Sequence, residues 1–71
     1  MEEISLREGD DYIKLGQLLK KASMMSSGVD AKMVILDGLV SVNGEVELRR
    51  GKKIYPGDVV TFEGESVKVV R

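Results

Sequence analysis

The order of apolar and polar residues at the start of the chain predicts a strand followed by a helix. Ile4 and Leu6 alternate with polar neighbours, as in a strand with one buried face. After a break at residues 9–11, apolar side chains recur at the i, i+3, i+4 and i+7 positions that form one stripe of a helix. Asp11 is the expected cap at the start of this helix. The expected core stripe is Leu15, Leu18, Leu19 and Ala22, and the expected polar face is Lys14, Gln17, Lys20 and Lys21.

A second helix is predicted shortly after the first. Ser27 with Asp30 three residues later resembles a capping box, so we expect Ser27 to cap this helix. The helix should end near residue 37, with Gly38 at its C-terminal cap. Lys32 is expected to face outward. The core positions would be Ala31, Val34 and Ile35. The helix pair thus spans about residues 12–37, with a connection of about four residues.

The remainder of the chain predicts strands. Asn43-Gly44 is a strong hairpin signal. A strict two-residue turn would place Val42 opposite Glu45, so we prefer a three-residue loop with a bulge, which pairs apolar with apolar residues. Residues 49–53 form a basic loop, residues 55–58 form a type II turn, and residues 58–70 form a final hairpin about Gly64. The first hairpin and basic loop occupy about residues 39–54. The sequence therefore predicts one α+β domain over residues 1–71, in which two helices pack on a mainly antiparallel sheet of about five strands.

Composition argues against catalysis. The chain has no histidine and no cysteine, which removes the commonest general base, the commonest metal ligand and the best nucleophile. With 71 residues, it offers few walls for an active-site cleft. We therefore expect no enzymatic activity, no cofactor and no small-molecule substrate. No apolar run reaches the length of a signal or membrane-spanning segment, so we expect a cytoplasmic protein without membrane contact.

The formal net charge of −1 conceals an uneven distribution. Residues 1–11 carry one basic and five acidic side chains, whereas residues 12–53 carry eight basic and four acidic ones. At physiological salt the screening length is about 8 Å, so a local basic patch matters more to a phosphate than the total charge does. The basic middle of the chain is compatible either with a nucleic-acid partner or with a simple solvated surface.

One segment resembles a known family. Residues 27–32, Ile35 and residues 38–45 follow the pattern Ala-Lys-x-x-Ile-x-x-Gly-x-Val-x-Val-Asn-Gly, and residues 49–54 and 56–59 continue it. This pattern resembles the S-four-like RNA-binding domain, which is built on the αL motif, and is most similar to the small stand-alone bacterial members of that family. The resemblance runs from about Tyr12 to Phe62.

The resemblance implies an αL unit of two helices docked on a strongly bent sheet, with the helices and the loop after the hairpin holding structured RNA such as ribosomal RNA or tRNA. Phosphate contacts are expected from the helices and from the basic loop, with Arg49 and Arg50 the strongest candidates because arginine binds phosphate in a bidentate manner. A further phosphate is expected at the backbone amides near Ser27 and Gly28. The RNA-contacting residues implied are Lys14, Gln17, Ser27, Gly28, Lys32, Arg49, Arg50, Lys52 and Lys53.

Other interpretations stay open. Leu36 and Leu39, exposed near the end of the second helix, would suit a protein contact, for example with ribosomal proteins. Glu8, Asp10 and Asp11 could seed a metal site, although three carboxylates in a turn are more often a solvated break or a helix cap. The three aromatic residues are too few to predict a platform for stacking bases. Tyr55 could stack on a single base, but packing beside its turn is the preferred interpretation.

Overall fold

The fold is that of an α+β domain, as predicted. The structure is a computed structural model that describes residues 1–22 and 30–71. Its elements are, in chain order, β1 (Glu2–Ser5), β2 (Ile13–Lys14), α1 (Leu15–Lys21), α2 (Ala31–Leu36), β3 (Val40–Val42), β4 (Glu45–Val46), β5 (Lys53–Ile54), β6 (Val59–Phe62) and β7 (Glu65–Val70).

Five of the strands form one mixed sheet in the order β1-β7-β6-β3-β4. The β7–β6, β6–β3 and β3–β4 pairs are antiparallel, whereas β1 adds to β7 in parallel, with Ile4 opposite Val69. The other two strands, β2 and β5, form a separate antiparallel pair. This second pair joins the start of α1 to the end of the basic loop, two segments far apart in the chain.

The core contains the apolar stripes predicted for both helices. Because strand side chains alternate between faces, the sheet contributes every second residue, for example Val40 and Val42 from β3. Ile54 is completely buried and ties β5 to the core. The buried apolar residues in the described part of the chain are Ile4, Leu15, Leu18, Leu19, Ala22, Ala31, Val34, Ile35, Val40, Val42, Ile54, Val60, Phe62, Val67 and Val69.

The first helix starts later than the sequence pattern predicts. Ile13 and Lys14 belong to strand β2, so α1 begins at Leu15 and Asp11 does not cap it. Lys14 occupies the N-cap position without a side-chain cap. The periodic stripe identified the buried face correctly but could not locate the N-terminus, because the preceding residues pair with a strand from a remote part of the chain.

The second helix also starts later, and its N-cap was wrongly predicted. Asp30 is the N-cap, and its carboxylate accepts a hydrogen bond from the Lys32 N–H at 2.9 Å. The N-cap of this helix is therefore Asp30 and not the predicted Ser27, which lies outside the described residues, as does most of the predicted connection between the helices. The predicted C-terminus is confirmed: Gly38 has a φ of 76°, and Leu39 N–H donates to the Val34 carbonyl as in a Schellman motif.

The preferred register of the first hairpin was wrong. Val42 lies opposite Glu45 across a two-residue turn, with Asn43 at φ 52° and Gly44 at φ 85°. Two consecutive positive φ angles are typical of a type I′ turn, which matches the twist of the flanking strands. Because β4 is a two-residue edge strand exposed on both residues, an acid opposite Val42 does not have to be buried, and the turn chemistry determines the register.

The two later turns agree with the sequence. Gly57 has a φ of 96°, and Asp58 N–H donates to the Tyr55 carbonyl at 3.0 Å, as in a type II turn. The hairpin about Gly64 pairs Phe62 with Glu65. No helix in the described part of the chain is long and apolar enough to cross a membrane.

Candidate nucleic-acid interface

The first helix and the basic loop meet through the β2–β5 pair. Lys14 lies opposite Lys53 in this pair. Immediately beyond it, Leu15 N–H donates to the Lys52 carbonyl, and Gly16 N–H donates to the Arg50 carbonyl, both at 2.9 Å. Two of the backbone donors at the start of α1 are therefore satisfied by the loop itself. The loop is consequently attached to the helix by backbone contacts that do not depend on its side chains.

This arrangement collects four cations from two distant segments. We call Lys14, Arg50, Lys52 and Lys53 the basic ribbon. Lys52 is half-buried, and the other three are exposed. Like charges directly opposite on neighbouring strands repel each other, so the facing Lys14 and Lys53 carry an electrostatic cost that a bound anion would relieve.

Arg49, one of the two strongest candidates, is engaged by an acid. Its guanidinium Nε lies 3.0 Å from Glu47 Oε2, and Nη2 lies 3.3 Å from Oε1. The side-chain hydrogen bond from Arg49 lowers the pKa of Glu47, and the same bond raises the pKa of Arg49. The Arg49 side chain is nevertheless 72% exposed. Glu47 therefore offsets part of its charge, and Arg50 becomes the stronger candidate.

Gln17 lines a cleft that also includes Tyr12 and Ile13, the two residues before Lys14. The polar face of α1 predicted from the sequence is exposed, and Gln17, Lys20 and Lys21 line this cleft together with Tyr12 and other residues of the N-terminal segment. Among the acids of that segment, Asp10 also lines the cleft. Its neighbour Asp11 forms an exposed ion pair with Arg71, with 3.4 Å between Oδ1 and Nη2.

Lys32 is the one expected contact residue on the second helix that lies within the described part of the chain. Lys32 is exposed as predicted, but its N–H is occupied by Asp30, whose negative charge at the helix start opposes a phosphate there. Among the described residues, Lys32 shares no hydrogen bond or cleft with the basic ribbon. Ser27 and Gly28 lie outside the described residues.

A separate apolar surface lies at the edge of the sheet. Leu36 and Leu39 are 56% and 53% exposed, which confirms the exposure expected from the sequence. Val46 and Leu48 are also more than half exposed. Val46 and Leu48 both lie near Gly38. A Cβ added to Gly38 would be 3.8 Å from Val46 Cγ1 and 3.9 Å from Leu48 Cδ2. We call Leu36, Leu39, Val46 and Leu48 the apolar edge.

An aromatic pair that the sequence pattern does not predict lies beside the basic ribbon. The rings of Tyr12 and Tyr55 have centroids 5.9 Å apart, and Lys53 Nζ lies 5.0 Å from the Tyr12 centroid. Tyr12 precedes Ile13 and Tyr55 follows Ile54, and these isoleucines face each other in the β2–β5 pair. The matching Tyr-Ile and Ile-Tyr dipeptides would have indicated the contact only if that pairing had been known.

The metal-site alternative is not supported by the arrangement of the acids. Among residues 1–22 and 30–71, no three carboxylates are grouped in a way that could hold a metal ion. Asp11 is turned toward Arg71.

Comparison with known proteins identifies the family. The S4 domain family matches residues 4–70, nearly the whole chain. The chain belongs to this family. This S4 domain is 44% identical to the putative RNA-binding protein YbcJ of Escherichia coli over 59 residues, which are 83% of this chain and 84% of that protein. It is 48% identical over 54 residues to the probable ribosome maturation protein RlbA of Bacillus subtilis, covering 76% of each.

A solved structure confirms the fold of this S4 domain. The solution structure of E. coli YbcJ, described as containing an αL motif involved in RNA binding, superposes with a TM-score of 0.70 at 41% identity. The match covers all of this chain and 89% of the other. The α+β fold and the family resemblance drawn from residues 27–59 are thereby confirmed.

Proposed function

We propose that this S4 domain binds structured RNA through the basic ribbon and performs no chemistry on it. The observation that carries the proposal is the convergence of Lys14, from the start of α1, with Arg50, Lys52 and Lys53, from the loop, onto one short strand pair. Double-helical RNA presents its phosphates on the outside and is recognised mainly by shape and backbone charge. A small rigid group of cations is suited to such a target.

The names of the relatives support the same proposal and favour one class of RNA. YbcJ is named a putative RNA-binding protein, and RlbA is named a probable ribosome maturation protein. We therefore propose ribosomal RNA as the partner, with tRNA as the alternative of similar helical form. Gln17 would add a neutral hydrogen-bonding contact beside the ribbon. Secondary contacts with the RNA are proposed for Lys32, Arg49, Ser27 and Gly28.

The test compares charge reversals of equal size at two places on the surface. Arg50→Glu removes a ribbon cation but keeps the backbone carbonyl that accepts from Gly16. Lys68→Glu makes the same change in charge on β7, where Lys68 is exposed between the buried Val67 and Val69. Because Lys68 lies opposite Glu3 of β1, thermal unfolding must first show that this control variant is folded. We expect Arg50→Glu to weaken binding to a ribosomal RNA hairpin by about tenfold or more, and Lys68→Glu to change it little. Equal losses in the two variants, or no measurable binding by the unaltered protein at low salt, would contradict the proposal.

A protein contact is the second candidate function, and the apolar edge favours it. The acids nearest in sequence to this surface are Asp37, Glu45 and Glu47, so the partner we propose is a basic protein with an apolar contact surface. Replacing Leu36 and Leu39 by serine should abolish such a contact and leave RNA affinity unchanged. Pull-down with basic ribosomal proteins measures the first effect and filter binding the second. Reduced RNA affinity in this variant would assign the apolar edge to the RNA site instead.

A further inference from the structure

We propose that Tyr55, supported by Tyr12 and Lys53, binds one unpaired nucleobase. The proposal rests on the proposed RNA binding and goes beyond it, because a site for a base predicts which RNA is preferred. The ligand is a helical RNA that carries an unpaired nucleotide, such as a bulge or a loop-closing residue, next to the phosphates held by the basic ribbon.

The position of Tyr55 is the first argument. Its side chain is 47% exposed, although tyrosine usually buries its ring. It lines a cleft with Arg49, Gly51, Lys52 and Lys53, and it also lines the neighbouring cleft that Lys52 and Lys53 share with the first hairpin. Glu45, Glu47 and Asp58 also line this second cleft, whereas no acid among the described residues lines the first. The ring therefore borders the cationic region and is accessible, from the side of the first cleft, to a ligand whose charged groups sit on the ribbon.

The rigidity of its backbone is the second argument. Tyr55 N–H donates to Asp58 Oδ2 at 2.8 Å, and the Tyr55 carbonyl accepts from Asp58 N–H at 3.0 Å. The preceding residue, Ile54, is completely buried. A side chain with two rotatable bonds on a backbone held from both sides loses little entropy when a ligand stacks on it.

The surroundings of the ring are the third argument. Tyr12 contacts one side of Tyr55 with its ring tilted by 52°, and Lys53 lies over Tyr12. Tyr12 is only half-buried and its position is set by β2, so it is a positioning residue that limits how Tyr55 can rotate. The ammonium of Lys53 interacts with the π face of Tyr12 and remains close enough to the pair to meet the phosphate of a stacked nucleotide.

The accessibility of the bases in RNA indicates which RNA could bind at Tyr55. In a continuous helix the bases are stacked inside and their faces are covered, so a side chain beside the phosphates cannot stack on them. An unpaired base can turn outward and stack on an aromatic ring whatever its identity. Loss of one such stacking contact weakens binding by about 5- to 150-fold. We therefore expect the protein to bind RNA with an unpaired base more tightly than fully paired RNA, with little dependence on which base is unpaired.

The experiment uses two RNA hairpins that differ by one bulged nucleotide, which is 2-aminopurine so that stacking quenches its emission. The unaltered protein should bind the bulged hairpin about 5- to 150-fold more tightly and quench the bulged base. Tyr55→Ala should lower the affinity for the bulged hairpin to that for the paired one, without weakening the paired complex. Tyr55→Phe should retain the preference, because the ring and not the hydroxyl carries it.

Arg50→Glu is the matched control. It should weaken both complexes by a similar factor and preserve the preference for the bulged hairpin. The inference is overturned if the unaltered protein binds the two hairpins equally, or if Tyr55→Ala weakens both to the same extent. If the unaltered protein binds neither hairpin at low salt, the proposed function fails as well, so the two failures are distinguishable.

Discussion

The substitution Lys14→Glu should raise the stability of the fold but lower its affinity for RNA. Lys14 and Lys53 are directly opposite each other, so the substitution replaces repulsion by attraction across the β2–β5 pair. Cross-strand charge pairs change stability by about 0.2–1 kcal/mol. In a domain of about 70 residues this corresponds to a rise in Tm of about 1–8 °C. The variant is therefore expected to fold at least as well as the original chain.

The same substitution should weaken RNA binding. With four ribbon cations on phosphates and a slope of about −0.7 to −0.9 per contact, log affinity should fall by about 2.8 to 3.6 per tenfold rise in salt. This amounts to a loss of about 50- to 150-fold between roughly 50 and 200 mM salt. Removing Lys14 should reduce the slope by about 0.7 to 0.9, and the added carboxylate should reduce affinity at low salt by about tenfold or more.

The assay pairs thermal unfolding, followed by circular dichroism, with fluorescence anisotropy of a labelled RNA hairpin at several salt concentrations. Lys68→Glu serves as the control and should leave the salt slope unchanged. The two measurements on Lys14→Glu must move in opposite directions. A fall in Tm together with the loss of affinity would mean that the ribbon had been disrupted, and an unchanged slope would remove Lys14 from the RNA contact. Either result would refute the reasoning.

Four further predictions concern single positions. Glu47→Gln should free the Arg49 guanidinium from its ion pair, which should raise the affinity for RNA and make it fall more steeply with salt. A lower affinity would instead show that Glu47 holds Arg49 in the orientation that contacts RNA. Because Arg49 lowers the pKa of Glu47, this acid stabilises the fold at neutral pH and loses that effect as the pH falls through its lowered pKa. A carboxyl NMR titration should show the lowered pKa and its return toward the ordinary value in Arg49→Gln. Gly38→Ala should lower stability by about 1–2 kcal/mol because of the positive φ, whereas Gly51→Ala, with open space around it, should be nearly neutral in thermal unfolding. Leu19→Ala should cost about 2–5 kcal/mol in denaturant unfolding because the side chain is completely buried, and a cost well below this would mean that the core closes over the cavity.

Several features that local chemistry decides were predicted correctly from the sequence. The helical stripe at Leu15, Leu18 and Leu19 identified the buried face of α1, and Gly38 and Gly57 marked a helix end and a turn by their need for positive φ. The family pattern was likewise a local string of residues, and it led to the correct fold. These signals are read within a few residues, where spacing and side-chain type are sufficient.

Pairings between remote segments of the chain were decided only by the tertiary structure. The start of α1 depends on β5, about 40 residues away along the chain, and no periodicity near Lys14 indicates this partner. The predicted register of the hairpin at residues 43–44 was wrong because apolar residues do not have to pair with apolar residues there: β4 lies at the edge of the sheet, and both of its residues are exposed.

The candidate site shows the same division. The sequence supplied the cations and the tyrosines, but their distances were determined by the β2–β5 pair, which sets Lys14 opposite Lys53 and Tyr12 against Tyr55. The physical reason is that a local pattern specifies which face of an element is apolar, while the partner of that face is selected by the packing of the whole core. A surface assembled from two remote segments of the chain therefore becomes visible only after the chain has folded.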